Sequence, residues 1–342
     1  MGKKNRREAM LYEPLEDQKV HCRLCGHECR ISPDGYGICR VRQNVSGKLI
    51  SLSYDALVAV HVDPIEKKPL FHFLPGTQSL SVAAAGCNFR CEFCQNWQIS
   101  QAPAEGRIIG GQEIPPDKLV ALAQRHRCAS ISYTYTEPTV FYELAYDTAA
   151  LAQQKGIRNC FVSNGYMTPR AVQTIAPYLD AINVDLKAFR EETYRSVMKA
   201  RLEPVLTCLK ALVKAGIWVE VTTLVVPDMN DSDAELRDIA RFIAEQLSPD
   251  TPWHVSRFHA DYKMTDHSAT PVGRLHRALE IGREAGLRYV YCGNVPGDEN
   301  ESTACPDCGA TLIRRVGFGI LENRLADGRC PDCNTEIAGL WA

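Results

Sequence analysis

Leu80-Ser81-Val82-Ala83-Ala84-Ala85-Gly86-Cys87-Asn88-Phe89-Arg90-Cys91-Glu92-Phe93-Cys94 carries two signals in succession. The apolar run Leu80 to Ala84 reads as a short buried strand that ends at Gly86. Three cysteines follow at once, spaced Cys-x3-Cys-x2-Cys, with an aromatic residue before the last. Chemistry in a strand–helix fold collects where strands end, so a set of thiols directly beyond a strand marks that end as the place to look.

Working outward, the chain downstream alternates strands and helices. Ser130 to Tyr135 predicts a strand. Thr139 to Gln154 places apolar residues on one helical face, with Pro138 at its start and Gly156 at its end. Cys160 to Val162 is the next strand, closed by Ser163-Asn164-Gly165. A helix from Pro169, the strand Ala181 to Leu186 and a helix over Leu206 to Lys214 follow. Ile217 to Val226 is the strongest strand, although it contains Glu220. Ser232 and Glu235 predict a capping box. Trp253 to Phe258, a helix through Leu275 to Ile281, and Leu287 to Tyr291 complete the series. Six or seven such units with near-continuous apolar strands imply an α/β fold with a parallel sheet covered by helices. A partial (β/α)6 TIM-like barrel fits that count, with a flat doubly wound sheet as the competing geometry.

Composition narrows the function classes. The chain has 342 residues, 45% hydrophobic and 23% charged, with a formal net charge of −2. That balance gives no electrostatic argument for nucleic acid or an anionic membrane. No run approaches a membrane span of ~18 apolar residues. The basic residues 1–7 lack a following apolar h-region, which argues against a secretory signal. There are 15 cysteines, most in tight groups, and such spacing in a large chain reads as metal ligation in a reducing cytosol. The expected localisation is cytoplasmic, with no membrane partner.

A [4Fe-4S] cluster usually takes four thiolates. Three leave one iron open to a ligand that chelates through an amino group and a carboxylate. S-adenosylmethionine has that chelate beside a sulfonium that one electron can cleave. A zinc knuckle is the alternative, but the nearest histidines are His72 and His126, and the x3 gap is unusual for zinc.

The triplet after the first strand resembles that of the radical S-adenosylmethionine enzymes. The resemblance implies that Cys87, Cys91 and Cys94 hold the cluster and that Phe93 lies along the adenine. Later segments look like those of pyruvate formate-lyase activating enzymes. Tyr135-Thr136-Glu137-Pro138 stands where the superfamily usually has Gly-Gly-Glu-Pro, which implies that Thr136 and Glu137 meet the amino group. Ser163 and Asn164 at the third strand's end, and Asp185 and Lys187 at the fourth's, match positions near the methionyl and ribosyl groups. Arg257-Phe258-His259 matches a Pro-Tyr-His segment, which places His259 in the site. Each also has a bland reading. Glu137-Pro138 is a helix start, Asn164-Gly165 an ordinary turn, and Asp185 and His259 satisfied polar groups. Over residues 20 to 300 the chain resembles the radical enzyme of the AmmeMemoRadiSam system, on Cys22-Arg-Leu-Cys25, Asp63-Pro-Ile-Glu-Lys-Lys-Pro69, the triplet, and Tyr291-Cys-Gly-Asn294.

The flanks read as small Cys-rich metal-binding modules. Residues 1–52 form an N-terminal module, 53–300 the partial barrel, and 301–342 a C-terminal zinc ribbon. Cys305, Cys308, Cys330 and Cys333 make Cys-x2-Cys-x21-Cys-x2-Cys, the strong form of a zinc ribbon, with Leu312 to Arg315 and Gly319 to Asn323 able to pair as strands. A rubredoxin-type iron is the chemical alternative, and three arginines (Arg314, Arg315, Arg324) are too few for nucleic acid. Cys22, Cys25, Cys29 and Cys39 are unevenly spaced. Structural zinc is favoured there over an auxiliary iron–sulfur cluster, and His21 and His27 are possible substitute ligands. Cys128, Cys160 and Cys208 read as buried small hydrophobes. Cys292 is a candidate to face the site. Asp63, Glu66, Lys67 and Lys68 read as a solvated charged face or, between Pro64 and Pro69, an ordered loop that contacts substrate.

The expected function is reductive cleavage of S-adenosylmethionine to a 5′-deoxyadenosyl radical, which abstracts a hydrogen atom from an unidentified substrate. A one-electron donor such as flavodoxin or ferredoxin is implied, and the family resemblance adds Memo-type and Ammecr-type pathway proteins. One alternative is a glycyl radical enzyme activase acting on a protein partner. The other is a non-catalytic, metal-stapled scaffold that binds RNA or protein.

Overall fold

Seven apolar segments rich in β-branched residues pair side by side as parallel strands. In the computed structural model, which describes residues 6–54, 56–107 and 110–341, they are β2 (Gln78–Ala84), β3 (Ser130–Tyr133), β4 (Arg158–Ser163), β5 (Ala181–Asp185), β6 (Trp218–Val225), β7 (Trp253–Arg257) and β8 (Val290–Gly293). They lie in chain order across one sheet. An antiparallel strand, β1 (Ala56–Pro64), borders β2, and Gln112–Glu113 forms the far edge beyond it. The two edge strands do not pair with each other, so the sheet stays open.

Six helices make the crossovers: α1 (Pro116–Arg125), α2 (Tyr142–Gln154), α3 (Pro169–Ile175), α4 (Leu202–Lys214), α5 (Asp233–Phe242) and α6 (Val272–Glu284). This is the expected six-unit α/β partial barrel with a seventh parallel strand. Several element ends shift from the sequence reading, and three of the shifts bear on the site or the fold. β3 stops at Tyr133 because Tyr135 turns to φ +61°. A 3-10 turn over Pro138–Phe141 precedes α2, and the Glu137 side chain caps it by accepting from the Thr139 N–H. β8 begins at Val290, later than Leu287. The capping box is half realised. Ser232 Oγ accepts from the Glu235 N–H, but the Glu235 carboxylate turns away to Phe189 N and Arg190.

Strand alternation gives the sheet two chemically different faces. Val82, Ile131, Phe161, Val184, Val221 and Val255 belong to the main core with the helices. The other face is polar. Ser132 Oγ meets Ser79 Oγ and Cys160 Sγ at 2.5 and 3.0 Å, and His254 pairs with Glu220 at 2.7 Å. The segment after β1 closes this face near the N-terminal ends of the strands. Phe71 N–H and His72 N–H donate to the Glu220 carboxylate, and Asn183 Nδ2 donates to Pro69 O. Glu220, the charge inside the strongest strand, is therefore fully engaged, which is what burial of a carboxylate requires.

The C-terminal hairpin packs below that plug. Thr311–Val316 pairs with Gly319–Asn323 as expected. Leu340 exchanges backbone hydrogen bonds with His72 and Leu74. Arg315 is buried over the Phe71 ring and donates to Phe71 O, so it is a docking residue and not part of a basic surface. At the other end of the chain, Val20, Cys22, Leu24, Val41 and Leu49 belong to the same core as the barrel helices. Residues 1–5 of the basic N-terminal stretch lie outside the described residues. Among the described residues no helix is long and apolar enough to cross a membrane.

Candidate active site

The cysteine loop leaves the C-terminal end of β2 through Gly86, whose φ is +112°. The conformation favours glycine, and a Cβ there would also crowd Val41 Cγ1 at 3.0 Å. Contacts within the loop and to neighbouring segments hold it in place. Phe89 N–H points at Cys87 Sγ at 3.3 Å. Arg90 donates to the Cys87 and Phe89 carbonyls at 2.7 Å each and to Ile38 O. Phe89 packs edge-on against Tyr166 and Tyr194.

The strand-end residues gather around this loop in two groups. The first is built on Glu137. Its carboxylate, buried, accepts from Thr139 N, Thr139 Oγ1, Ser163 Oγ and Asn164 N. Burial raises its pKa against the pull of these donors. Asn164 Nδ2 then reaches Asn88 Oδ1 at 2.7 Å and Cys87 Sγ at 3.7 Å, and Thr136 Oγ1 donates to Ala84 O. The helix-start reading of Glu137-Pro138 thus describes what the side chain does locally, while the same carboxylate fixes Ser163 and Asn164 beside the cysteines.

The second group is charged. Lys187 Nζ lies 2.8 Å from Asp185 Oδ2 and 5.7 Å from the buried Phe93 ring. Burial opposes the lysine's charge, but Asp185 and the neighbouring Cys91 outweigh it and raise its pKa. His259 stands at the exposed rim, its Nε2 3.0 Å from Gln95 Nε2, next in sequence to Cys94.

Below the mouth lies a network that sequence reading missed. Tyr135 points its hydroxyl to Asp63, which also accepts from Lys67 and the buried Lys68 at 2.8 and 2.7 Å. Lys68 Nζ lies 4.6 Å from the Tyr135 ring centroid. The run 63–68 is therefore not a solvated face. Proline spacing hinted at order, but nothing local could show that Tyr135 folds back on it. Asn88 was also missed, although it sits inside the motif.

The chemistry of the donor set fits a multi-iron cluster. Burial pushes the Cys91 thiol up to about 12 and the Cys87 thiol well above its usual range, so a metal bound there would displace a proton from each. No three of the triplet and its neighbours close within 4.8 Å of one another, as a single ion would require. Asn164 Oδ1 and Thr222 Oγ1, which stands opposite Asp185, are buried without a partner among the described residues. Buried polar atoms seldom stay unpaired, and a polar ligand at the mouth would satisfy them.

The remaining cysteines fall elsewhere. Cys305, Cys308, Cys330 and Cys333 place all four Sγ atoms within 4.8 Å of one another. Cys22, Cys25, Cys29 and Cys39 line one cavity against the cysteine loop. His21 Nε2 is taken up by Arg23 and His27 Nε2 by Asn88 O. Cys128, Cys160 and Cys208 are buried. Cys292 does not face the site. Tyr291 contacts His72 and His254 on the inner face, and alternation sends Cys292 into the outer core.

A profile of the radical SAM superfamily matches residues 82–243. The chain belongs to the radical S-adenosylmethionine superfamily of enzymes. It is 46% identical to an uncharacterized protein of Methanocaldococcus jannaschii, over 97% of this chain and 98% of that one. It is 22% identical to the pyruvate formate-lyase-activating enzyme of Clostridium pasteurianum, over 57% of this chain and 85% of that one. In fold it is similar to a radical SAM methyltransferase from Sphaerobacter thermophilus, with a TM-score of 0.51 and 14% identity over 84% of this chain and 76% of that one. Membership implies a [4Fe-4S] cluster and S-adenosylmethionine.

Proposed function

We propose that Cys87, Cys91 and Cys94 ligate the cluster and that the residues at the strand ends hold S-adenosylmethionine against it. The observation that carries this reading is the convergence of Asn164, Asp185 and Lys187 on one cysteine loop. When bound, the cluster supplies one electron to the sulfonium, which splits the sulfur–C5′ bond into methionine and a 5′-deoxyadenosyl radical that takes a hydrogen atom from substrate.

The chain's own residues bind and orient. Asn164 presents its unpaired amide oxygen to the methionyl end. The Asp185–Lys187 pair presents one carboxylate and one ammonium to the ribosyl and carboxylate groups. Phe93 lies below Lys187 as an apolar wall for the adenine. Glu137 acts through Ser163 and Asn164, because its own oxygens are occupied. Asp63, Tyr135 and Lys68 lie deeper on the inner face and line the floor that a substrate would meet.

A protein substrate, activated by hydrogen abstraction at a glycine, is the second reading, favoured by the similarity to named activating enzymes. Electron supply would come from a reduced flavodoxin or ferredoxin. Memo-type and Ammecr-type proteins are the proposed pathway partners, on the resemblance to the AmmeMemoRadiSam enzyme. Zinc is the proposed occupant of the C-terminal ribbon, a structural module at the far end of the barrel. The test is anaerobic reconstitution followed by S-adenosylmethionine and dithionite. Formation of 5′-deoxyadenosine is expected, and its absence from protein with a filled cluster would overturn the reading.

A further inference from the structure

The two flanking cysteine sets differ in geometry. A zinc ion with bonds of about 2.3 Å to four thiolates sets the sulfurs about 3.8 Å apart. The C-terminal set has this spacing, with Cys305 Sγ to Cys333 Sγ at 3.5 Å and Cys308 Sγ to Cys330 Sγ at 3.7 Å. The N-terminal set does not. Cys22, Cys25, Cys29 and Cys39 line a common cavity, yet no three of their sulfurs come within 4.8 Å of one another. The central triplet shares this open spacing. In a four-iron cluster each thiolate caps a different iron, so the sulfurs stand apart by the width of the cluster.

A second observation concerns the cavity wall. Arg42 and Asn88 also line it, and Arg42 Nε and Asn88 Nδ2 are buried without a partner among the described residues. The rest of the Arg42 guanidinium is fixed by Glu143. Donors left free beside four thiols suit an anionic cluster whose sulfurs accept hydrogen bonds. Asn88 follows Cys87 in sequence, so a single residue separates this cavity from the central loop.

We infer that Cys22, Cys25, Cys29 and Cys39 hold an auxiliary [4Fe-4S] cluster, and that it relays single electrons to the central site past Asn88. The occupancy stands on the N-terminal geometry, and only the relay rests on the proposed function. An electron enters from a reduced ferredoxin-type or flavodoxin-type donor and leaves to the central cluster, with no bond made or broken at the N-terminal site.

The test uses the full chain with Cys87→Ala, Cys91→Ala and Cys94→Ala, prepared anaerobically and reconstituted with iron and sulfide. Iron, sulfide and zinc are counted per chain, and the reduced protein is examined by low-temperature electron paramagnetic resonance. About four irons and one zinc are expected, with a reduced-cluster signal that S-adenosylmethionine does not alter. Loss of all iron with about two zincs per chain would overturn the inference. Should the triple variant fail to fold, the wild-type count decides. About eight irons support two clusters, and about four irons with two zincs refute them. An iron-retaining triple variant beside a wild type that makes no 5′-deoxyadenosine would keep the auxiliary cluster and reject the proposed function. The relay is read separately with Cys29→Ala and Cys39→Ala. A drop of at least tenfold in flavodoxin-driven turnover with dithionite-driven turnover retained supports it, and an equal rate with both reductants refutes it.

Discussion

Arg42 and Glu143 form a bidentate ion pair with contacts of 2.9 and 2.7 Å, at 2% and 1% side-chain exposure. It joins the N-terminal segment to α2 at the wall of the cysteine cavity. Removing one partner leaves the other charge buried and unpaired. Arg42→Ala is expected to cost ~3–5 kcal/mol, while exchange of both for apolar residues of similar volume costs far less. Chemical denaturation of the single and double variants measures the difference.

Asp63 ties Lys67, Lys68 and Tyr135 together. Burial works against its charge, but hydrogen bonds from Lys67, Lys68 and Tyr135 prevail and hold its carboxyl well below the usual range. A depressed folded pKa gives stability that is complete above the unfolded value of about 4 and lost as pH falls below it. The stability gap between wild type and Asp63→Asn should therefore be large at pH 7, with Lys68 stranded in the variant at ~2–4 kcal/mol, and shrink below pH 4. A gap that does not change with pH would contradict the assignment.

His72 links the plug to the C-terminal ribbon, donating from Nδ1 to Ala338 O and meeting the Tyr291 hydroxyl through Nε2, 2.6 Å each. Burial pushes its pKa down to about 4. The unfolded imidazole takes a proton near pH 6.5 and the folded one only near 4, so acid favours undocking across that window. Hydrogen exchange around Leu340 should accelerate from pH 6.5 to 4 beyond its intrinsic pH trend, and His72→Gln should flatten that excess.

The ribbon lies at the N-terminal ends of the strands, opposite the mouth. Cys305→Ser with Cys330→Ser should release one metal ion per chain and lower the melting temperature. The yield of 5′-deoxyadenosine per filled central cluster should stay within about twofold, because nothing in the ribbon reaches the mouth. A larger loss would assign the ribbon a catalytic role.

At the mouth, Asp185→Ala leaves Lys187 without its partner and removes an acceptor proposed to meet the ligand. Binding of S-adenosylmethionine should weaken about tenfold, ~1.4 kcal/mol, with cluster content unchanged. Cys94→Ala should lose the central cluster and reduce 5′-deoxyadenosine to background. Equilibrium binding and iron counts on both variants separate ligand contact from cluster assembly.

Much of this site was legible because its signals are local. Cys-x3-Cys-x2-Cys after an apolar run places three thiols at one strand end, whatever the rest of the chain does. The same holds for Ser163-Asn164 and Asp185-Leu186-Lys187, each closing a strand whose hydrophobicity announces it. Parallel strands in chain order then bring these ends together. The ribbon hairpin was equally readable, since its knuckles and two short strands lie within forty residues.

Other features depend on contacts between distant segments. Tyr135 reverses onto Asp63 because of one left-handed residue, and Lys68 is buried only because the chain after β1 plugs the barrel. Glu220 reads as a flaw in a strand until Phe71, His72 and His254 surround it. Whether a set of cysteines suits one ion or a cluster depends on the distances between sulfurs, and uneven cysteine spacing along a chain does not determine them. The sequence by itself determined the α/β series, the cysteine sets and the polar residues at the strand ends, since these follow from periodicity and short spacings. Only the tertiary structure decided which charges are buried, which strand face Cys292 takes, and how far apart the N-terminal sulfurs stand, because each rests on packing between segments remote in sequence.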